Sequence, residues 1–139
     1  MLVGLKLETQ RGDILKGLLE SVTFYLRECL ESLAGTGIVV DELVAAGGGS
    51  KSDAWLQLSA DILGVPLVRA QVTEAGGLGA AIIAGVGAGV FSSFEEGVSA
   101  MVGLERRFEP DKRVHEAYQP RFEKYSELWP LMKGYLRSL

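Results

Sequence analysis

The chain has little with which to bind a metal or form a crosslink. It holds one cysteine, Cys29, and one histidine, His115, in 139 residues. A single thiol permits no intrachain disulfide, and with one imidazole beside it falls short of the ligand set of a structural zinc site. A reducing, cytoplasmic setting is the expectation. Positive charge is scarce too: 14 Lys and Arg against 18 Asp and Glu give a formal net charge of −4, and the basic residues are scattered. That pattern lacks the electrostatic footprint of a nucleic-acid partner, so none is expected. The terminus Met1-Leu2-Val3-Gly4 lacks the basic region and apolar stretch of a secretory signal.

Long apolar runs are also in short supply. The uncharged stretch 75–91 has 17 residues, six of them glycine. It is marginal in length for a bilayer and poor in large apolar side chains, so no membrane span is expected despite the Gly85 to Gly89 spacing. A buried helix over about 79–87 is the better reading. Its Gly79, Ala80, Ala84 and Gly87 would let a neighbouring backbone or ligand approach closely. With 47% hydrophobic residues, the chain has enough to build a core, and no repeat, linker or low-complexity tract divides residues 1–139.

Periodicity supplies the elements. Residues 2–7 alternate in part and read as a short strand. Ile14, Leu15, Leu18, Leu19, Val22, Tyr25, Leu26, Cys29, Leu30 and Leu33 recur at helical spacing, with Thr9 or Asp13 as cap and Gly35 and Gly37 as terminators. Residues 38–46 read as a buried strand. Ser50 or Ser52 can cap a helix through Leu63 that Gly64 ends before a strand at Val65-Pro66-Leu67-Val68. Ser93 caps a short helix to Met101, Phe108-Glu109-Pro110 reads as a loop, and a last helix starts near Asp111. Pro120 and Pro130 should kink or interrupt it. The order is α/β, with helices packed on a sheet that looks incomplete, since three strands are too few to cover so many apolar helix faces.

Between the second strand and its helix lies Ala45-Ala46-Gly47-Gly48-Gly49-Ser50-Lys51-Ser52. Three glycines free the backbone for φ > 0 and close ligand approach, and the helix start beyond them offers N–H groups that favour an anion. Either a phosphate cradle or a tight strand-to-helix turn satisfies this pattern. The commoner phosphate motifs are excluded: a serine separates Gly49 from Lys51, and Gly77-Leu78-Gly79-Ala80-Ala81-Ile82 lacks both the third small residue and the preceding strand of a dinucleotide site. His115 reads as a surface residue. Asp41-Glu42 and Glu95-Glu96 read as solvated charges, and Trp55, Trp129 and the tyrosines as packing residues.

The run from Val44 to Val68, with its Gly47-Gly48-Gly49-Ser50-Lys51-Ser52-Asp53-Ala54-Trp55 opening and Asp61-Ile62-Leu63-Gly64 close, is followed by Glu74-Ala75-Gly76-Gly77-Leu78-Gly79-Ala80-Ala81. In this order the motifs resemble the carboxy-terminal domain of the FGGY family of carbohydrate kinases, in a xylulokinase-like form. The opening from Gly4 to Asp13 and the ending from Phe108 through Tyr125 are similar to the family too, so the likeness spans essentially the whole chain. The resemblance implies part of a ribonuclease-H-like domain of the actin-like ATPase fold, with ATP in the cleft between two such domains. It implies Gly47, Gly48 and Gly49 beside the nucleotide, Ser52 facing it, and the helix from Gly76 packed beneath the turn. For Lys51 a direct contact is not expected, because ordering so flexible a side chain is entropically costly.

Phosphoryl transfer to a sugar also needs a base, carboxylates to place Mg²⁺ and a sugar pocket. The resemblance puts these in an amino-terminal domain. None of Asp13, Asp41, Asp53, Asp61 or Asp111 has the family's catalytic or phosphate-loop context, and the early strands of the carboxy-terminal domain have no counterpart upstream of Gly4. No catalytic residue and no metal ligand is therefore assigned. The chain is expected to be the nucleotide side of a ketose or polyol kinase and inactive alone; the alternative is a non-catalytic remnant acting as a structural or partner-binding module. Either form should self-associate or pair with the missing half, because an incomplete sheet leaves apolar faces uncovered.

Overall fold

Ser52 starts one helix and Gly64 stops it, and the rest of the fold is arranged around the eleven residues between them. In the computed structural model, which describes residues 2–138, this helix is the second of five. Among the described residues the order is α1 (Arg11–Ala34), β1 (Leu43–Ala45), a 3₁₀ turn (Gly48–Lys51), α2 (Asp53–Leu63) and β2 (Leu67–Ala70). Then come α3 (Ala75–Gly87), α4 (Phe94–Met101), β3 (Leu104–Phe108) and α5 (Lys112–Leu136). The sheet order is β1-β2-β3, with β1 parallel and β3 antiparallel to the central β2.

The Ser52 hydroxyl accepts from the Trp55 N–H, and Gly64 ends α2 in the left-handed region at φ +72°, where a side chain is strained. One face of α2 sends Leu56, Ala60 and Leu63 onto Leu67 and Phe108 of the sheet. The other sends Ile62 against Phe24 of α1 and Tyr118 and Phe122 of α5. Ala60 and Ile62 are 0% exposed. Arg27 of α1 closes the second cluster: its guanidinium lies 4.1 Å from the Phe122 ring centre and donates to Gln119 of α5 and to the Ile62 carbonyl. Its buried charge is thus hydrogen-bonded and paired with Glu31.

Several sequence expectations need correction. Residues 2–7 form no strand, because nothing in the described chain pairs with them. The expected strand over 38–46 narrows to three residues, the length for which β2 offers a parallel partner. The third strand is β3, which takes Phe108 out of the expected loop and leaves Glu109 and Pro110 in it; its run Leu-Glu-Arg-Arg-Phe hides the alternation because its first four residues are exposed. Gln10 caps α1, with the Asp13 carboxylate accepting from its N–H at 2.9 Å, while Thr9 binds the Lys6 N–H. Helix α3 starts earlier than expected and is not a buried helix: only Ile82 is buried, and Ile83 is 63% exposed. It packs on α4, where Ile82 and Phe91 occupy the space beside Gly97. Helix α5 runs unbroken through Pro120 and Pro130, both on its exposed side, where water can bond the carbonyls that the rings leave free.

Phe24 touches three rings of α5, with centroids at 5.4 to 6.0 Å. Phe24→Ala should therefore lower stability by about 3–5 kcal/mol, read as a shifted urea midpoint at fixed protein concentration. A change below about 1 kcal/mol would place the junction of α1 and α5 outside the folding core.

Candidate functional site

The three glycines after β1 do three different things. Gly47 has φ +86° and ψ −175°, an extended positive-φ conformation open to glycine that lets the chain leave the sheet, and its N–H donates to the Thr73 carbonyl at 2.9 Å. Gly48 has no positive φ, so it is not required by backbone geometry; a Cβ there would meet nothing within 4 Å. Gly49 also has an ordinary φ, but a Cβ would lie 2.7 Å from the Trp55 ring, so its reason is close packing. Of the three glycines free to adopt φ > 0, only Gly47 does so. Trp55, half-buried at this position, is the packing residue that the sequence indicated.

Hydrogen bonds tie down both ends of the turn. The buried Ser50 hydroxyl donates to the Gly47 carbonyl at 2.7 Å, and its N–H reaches the same oxygen at 3.2 Å. Ser52 N–H donates to the Gly49 carbonyl. Between these ties, the N–H groups of Gly48 and Gly49 have no acceptor among the described residues. Gly48 is exposed and Gly49 half-buried, and two adjacent backbone donors without an acceptor are what an acceptor-rich ligand needs.

The helix start beyond is less free than its sequence implied. Asp53, first residue of α2, sets a carboxylate on the positive end of the helix dipole. Arg69 of β2 and Arg106 of β3 both pair with it. The hydrogen bond from Arg69, with the charge of Arg106 added, holds the Asp53 carboxyl below the usual carboxylate range. Arg69 also donates from Nε to the Ser50 carbonyl at 2.7 Å. Periodicity could not flag Arg69: it is a charged residue in a buried central strand, and its partners lie 16 and 19 positions away.

The other chemistry-bearing residues have structural duties. His115 is half-buried, its Nδ1 3.0 Å from the Asp61 carbonyl, and its ring fills the space a side chain at Gly64 would need. It is a packing residue rather than a surface one. Buried Asp61 accepts from Gln57 and from the Asp111 N–H that opens α5. Glu42 pairs with Arg107, and Glu96 accepts from the N–H and hydroxyl of Ser92, so neither is a merely solvated charge. Trp129, Tyr25 and Tyr135 are exposed, which corrects their reading as packing residues. Lys51 is exposed with no polar partner, and no group of three potential metal ligands occurs among the described residues. The expected seat of α3 beneath the turn is not observed; the link is Thr73, ahead of that helix. No helix among the described residues is long and apolar enough to cross a membrane.

Comparison with known proteins decides the family. Residues 1–88 match the model of the FGGY family of carbohydrate kinases, C-terminal domain. The chain belongs to that family. A xylulose kinase of Staphylococcus epidermidis is 30% identical over 94% of this chain and 26% of its own length. A glycerol kinase of Bordetella parapertussis is 39% identical over 98% of this chain and 27% of its own. Among solved structures, the xylulose kinase of Rhodospirillum rubrum superposes with TM-score 0.82 at 26% identity, covering 97% of this chain and 28% of that one. A Plasmodium falciparum glycerol kinase solved with ADP gives TM-score 0.73 at 26% identity, covering 89% and 25%. The α/β architecture is thus that of FGGY kinases, which have the actin-like ATPase fold. This chain spans about a quarter of the length of the curated relatives it matches.

Because Gly49 abuts the Trp55 ring, Gly49→Ala should displace that ring toward water. In a Trp129→Phe background, which leaves Trp55 as the sole tryptophan, emission excited selectively at the indole band should shift to longer wavelength. An unshifted spectrum would remove the close-packing account of Gly49.

Proposed function

We propose that this chain is the nucleotide-binding, carboxy-terminal portion of an ATP-dependent carbohydrate kinase acting on a ketose or polyol hydroxyl, xylulokinase-like in type. Gly47, Gly48 and Gly49 lie beside the nucleotide, with Ser52 facing it. The observation that carries this reading is the pair of N–H groups at Gly48 and Gly49 without an acceptor among the described residues, beside a Gly48 where a Cβ would meet only open space. Membership of the FGGY family and the likeness to a glycerol kinase described with ADP support an adenine nucleotide as the guest.

ATP supplies the phosphoryl group. The chain's own residues hold and orient: Gly47 aims the turn away from the sheet, Gly48 and Gly49 donate backbone hydrogen bonds, and the Ser52 hydroxyl keeps its proton to donate while its oxygen caps α2. Lys51 remains outside the assigned set. Asp53 is committed to two arginines, so Mg²⁺ would be placed by phosphate oxygens and by carboxylates in the part of the parent beyond this chain. The base and the sugar pocket belong there too, and the chain alone transfers no phosphate. The kinship to both xylulose and glycerol kinases supports a polyhydroxylated acceptor. The parent is placed in the cytoplasm, in keeping with the solitary Cys29.

A second reading is a non-catalytic module that binds a partner, supported by the apolar side chains exposed along α1. An upstream, in-frame amino-terminal kinase domain, whose complete product phosphorylates ketoses or polyols with ATP, separates the two; a stop codon and independent promoter would favour the module.

Two measurements test the reading on the chain itself. Titration of the isotopically labelled chain with ADP and Mg²⁺ should move the Gly48 and Gly49 amide resonances, and Gly48→Val should abolish that response while changing stability by no more than about 0.5 kcal/mol. Silent glycine amides in the unaltered chain would remove the turn from nucleotide binding. We further propose self-association or pairing with the missing half, supported by the exposed Leu15, Leu18, Val22 and Tyr25 along α1. Sedimentation should show mass rising with concentration, and a monomer throughout would contradict it.

A further inference from the structure

We propose that Arg69 is the positioning residue of the glycine turn: one guanidinium, rooted in the central strand, simultaneously grips the Ser50 carbonyl of the turn and the first carboxylate of α2. Its Nε donates to the Ser50 carbonyl at 2.7 Å and its Nη2 to Asp53. The stem is buried, the group lies 5.3 Å from the Phe108 ring centre, and its remaining arm points to Glu105 at 3.5 Å.

The grip propagates by a short relay. With its carbonyl held by Arg69, Ser50 turns its hydroxyl and N–H back onto the Gly47 carbonyl, while the Gly47 N–H is held by Thr73. Gly47 and Ser50 are thereby fixed, and the two glycines between them are left with N–H groups that have no acceptor among the described residues. Chain so rich in glycine loses much conformational freedom on ordering, so an external clamp is what keeps such a turn in one shape. Lysine could not replace this clamp: a point-like ammonium cannot present two donors in the fixed plane needed to meet a carbonyl and a carboxylate at once. Asp53 serves the clamp as well as the helix dipole, and Arg106 reinforces it from β3.

What the clamped turn holds rests on the nucleotide reading above, but the clamp can be measured without any ligand. In the 139-residue chain, Arg69→Lys should speed hydrogen–deuterium exchange of the peptide covering residues 46–52 by about tenfold, leaving the α2 interior at residues 56–63 protected. Affinity for ADP with Mg²⁺ should fall about tenfold in the same variant, since misplacement of a binding group by an ångström is costly. Should Arg69→Lys fail to fold, Asp53→Ala removes an exposed partner whose effect on the helix dipole is confined to the first turn of α2, and should speed exchange of residues 46–52 in the same selective way. Exchange at 46–52 that is unchanged, or that rises equally with 56–63, would overturn the proposal, because a purely structural arginine loosens turn and helix together. Selective loosening in a chain that never bound ADP would sustain the clamp and defeat the nucleotide reading instead.

Discussion

The structure depends on α2 being buried on two sides at once. Leu56, Ala60 and Leu63 seat it on the sheet, while Ile62 meets the aromatic cluster of α1 and α5. A helix held from both sides cannot slide or rotate without opening a cavity in one cluster or overpacking the other. Its first turn is thereby fixed relative to the end of β1, and the glycine turn has a defined gap to span. Ala60 matters here for its smallness, since it sits with no exposed surface where a larger side chain would push the helix off the strands.

Charge then decides how the start of that helix is used. An unpaired helix terminus attracts any anion, but here Asp53 occupies it and two arginines occupy Asp53. The result is a closed ionic group rather than an open phosphate site, and the unpartnered donors lie a few residues earlier, at Gly48 and Gly49. This division separates two roles that a glycine-rich strand-to-helix turn could otherwise combine. The helix end is used for rigidity, and the backbone of the turn is left available.

Legibility from sequence followed the range of the interaction. Both caps of α2, the Ser93 cap of α4 and the long helical stripe of α1 were readable because each rests on residues three or four apart. Strands were read less well. Residues 2–7 carry alternation without a partner, whereas β3 has a partner without alternation, its pairing to β2 supplied by a segment more than thirty residues away. The glycine run was legible as a special turn, yet its three positions looked alike; only Trp55 beneath Gly49, open space above Gly48 and the dihedral of Gly47 tell them apart. His115 looked like a surface residue because its neighbour in space, Gly64, is fifty-one positions away.

By itself, then, the amino-acid order determined what short-range physics controls: the α/β class, most helix limits, the site of the sharp turn, and the family motifs that pass through it. Tertiary structure alone decided which extended segments pair, which carboxylates are engaged, and that Arg69 reaches across to Ser50 and Asp53. The reason is physical. A cap or a helical face is complete within one or two turns of chain, but a β-ladder or a buried ion pair takes its energy from a partner that only folding brings near.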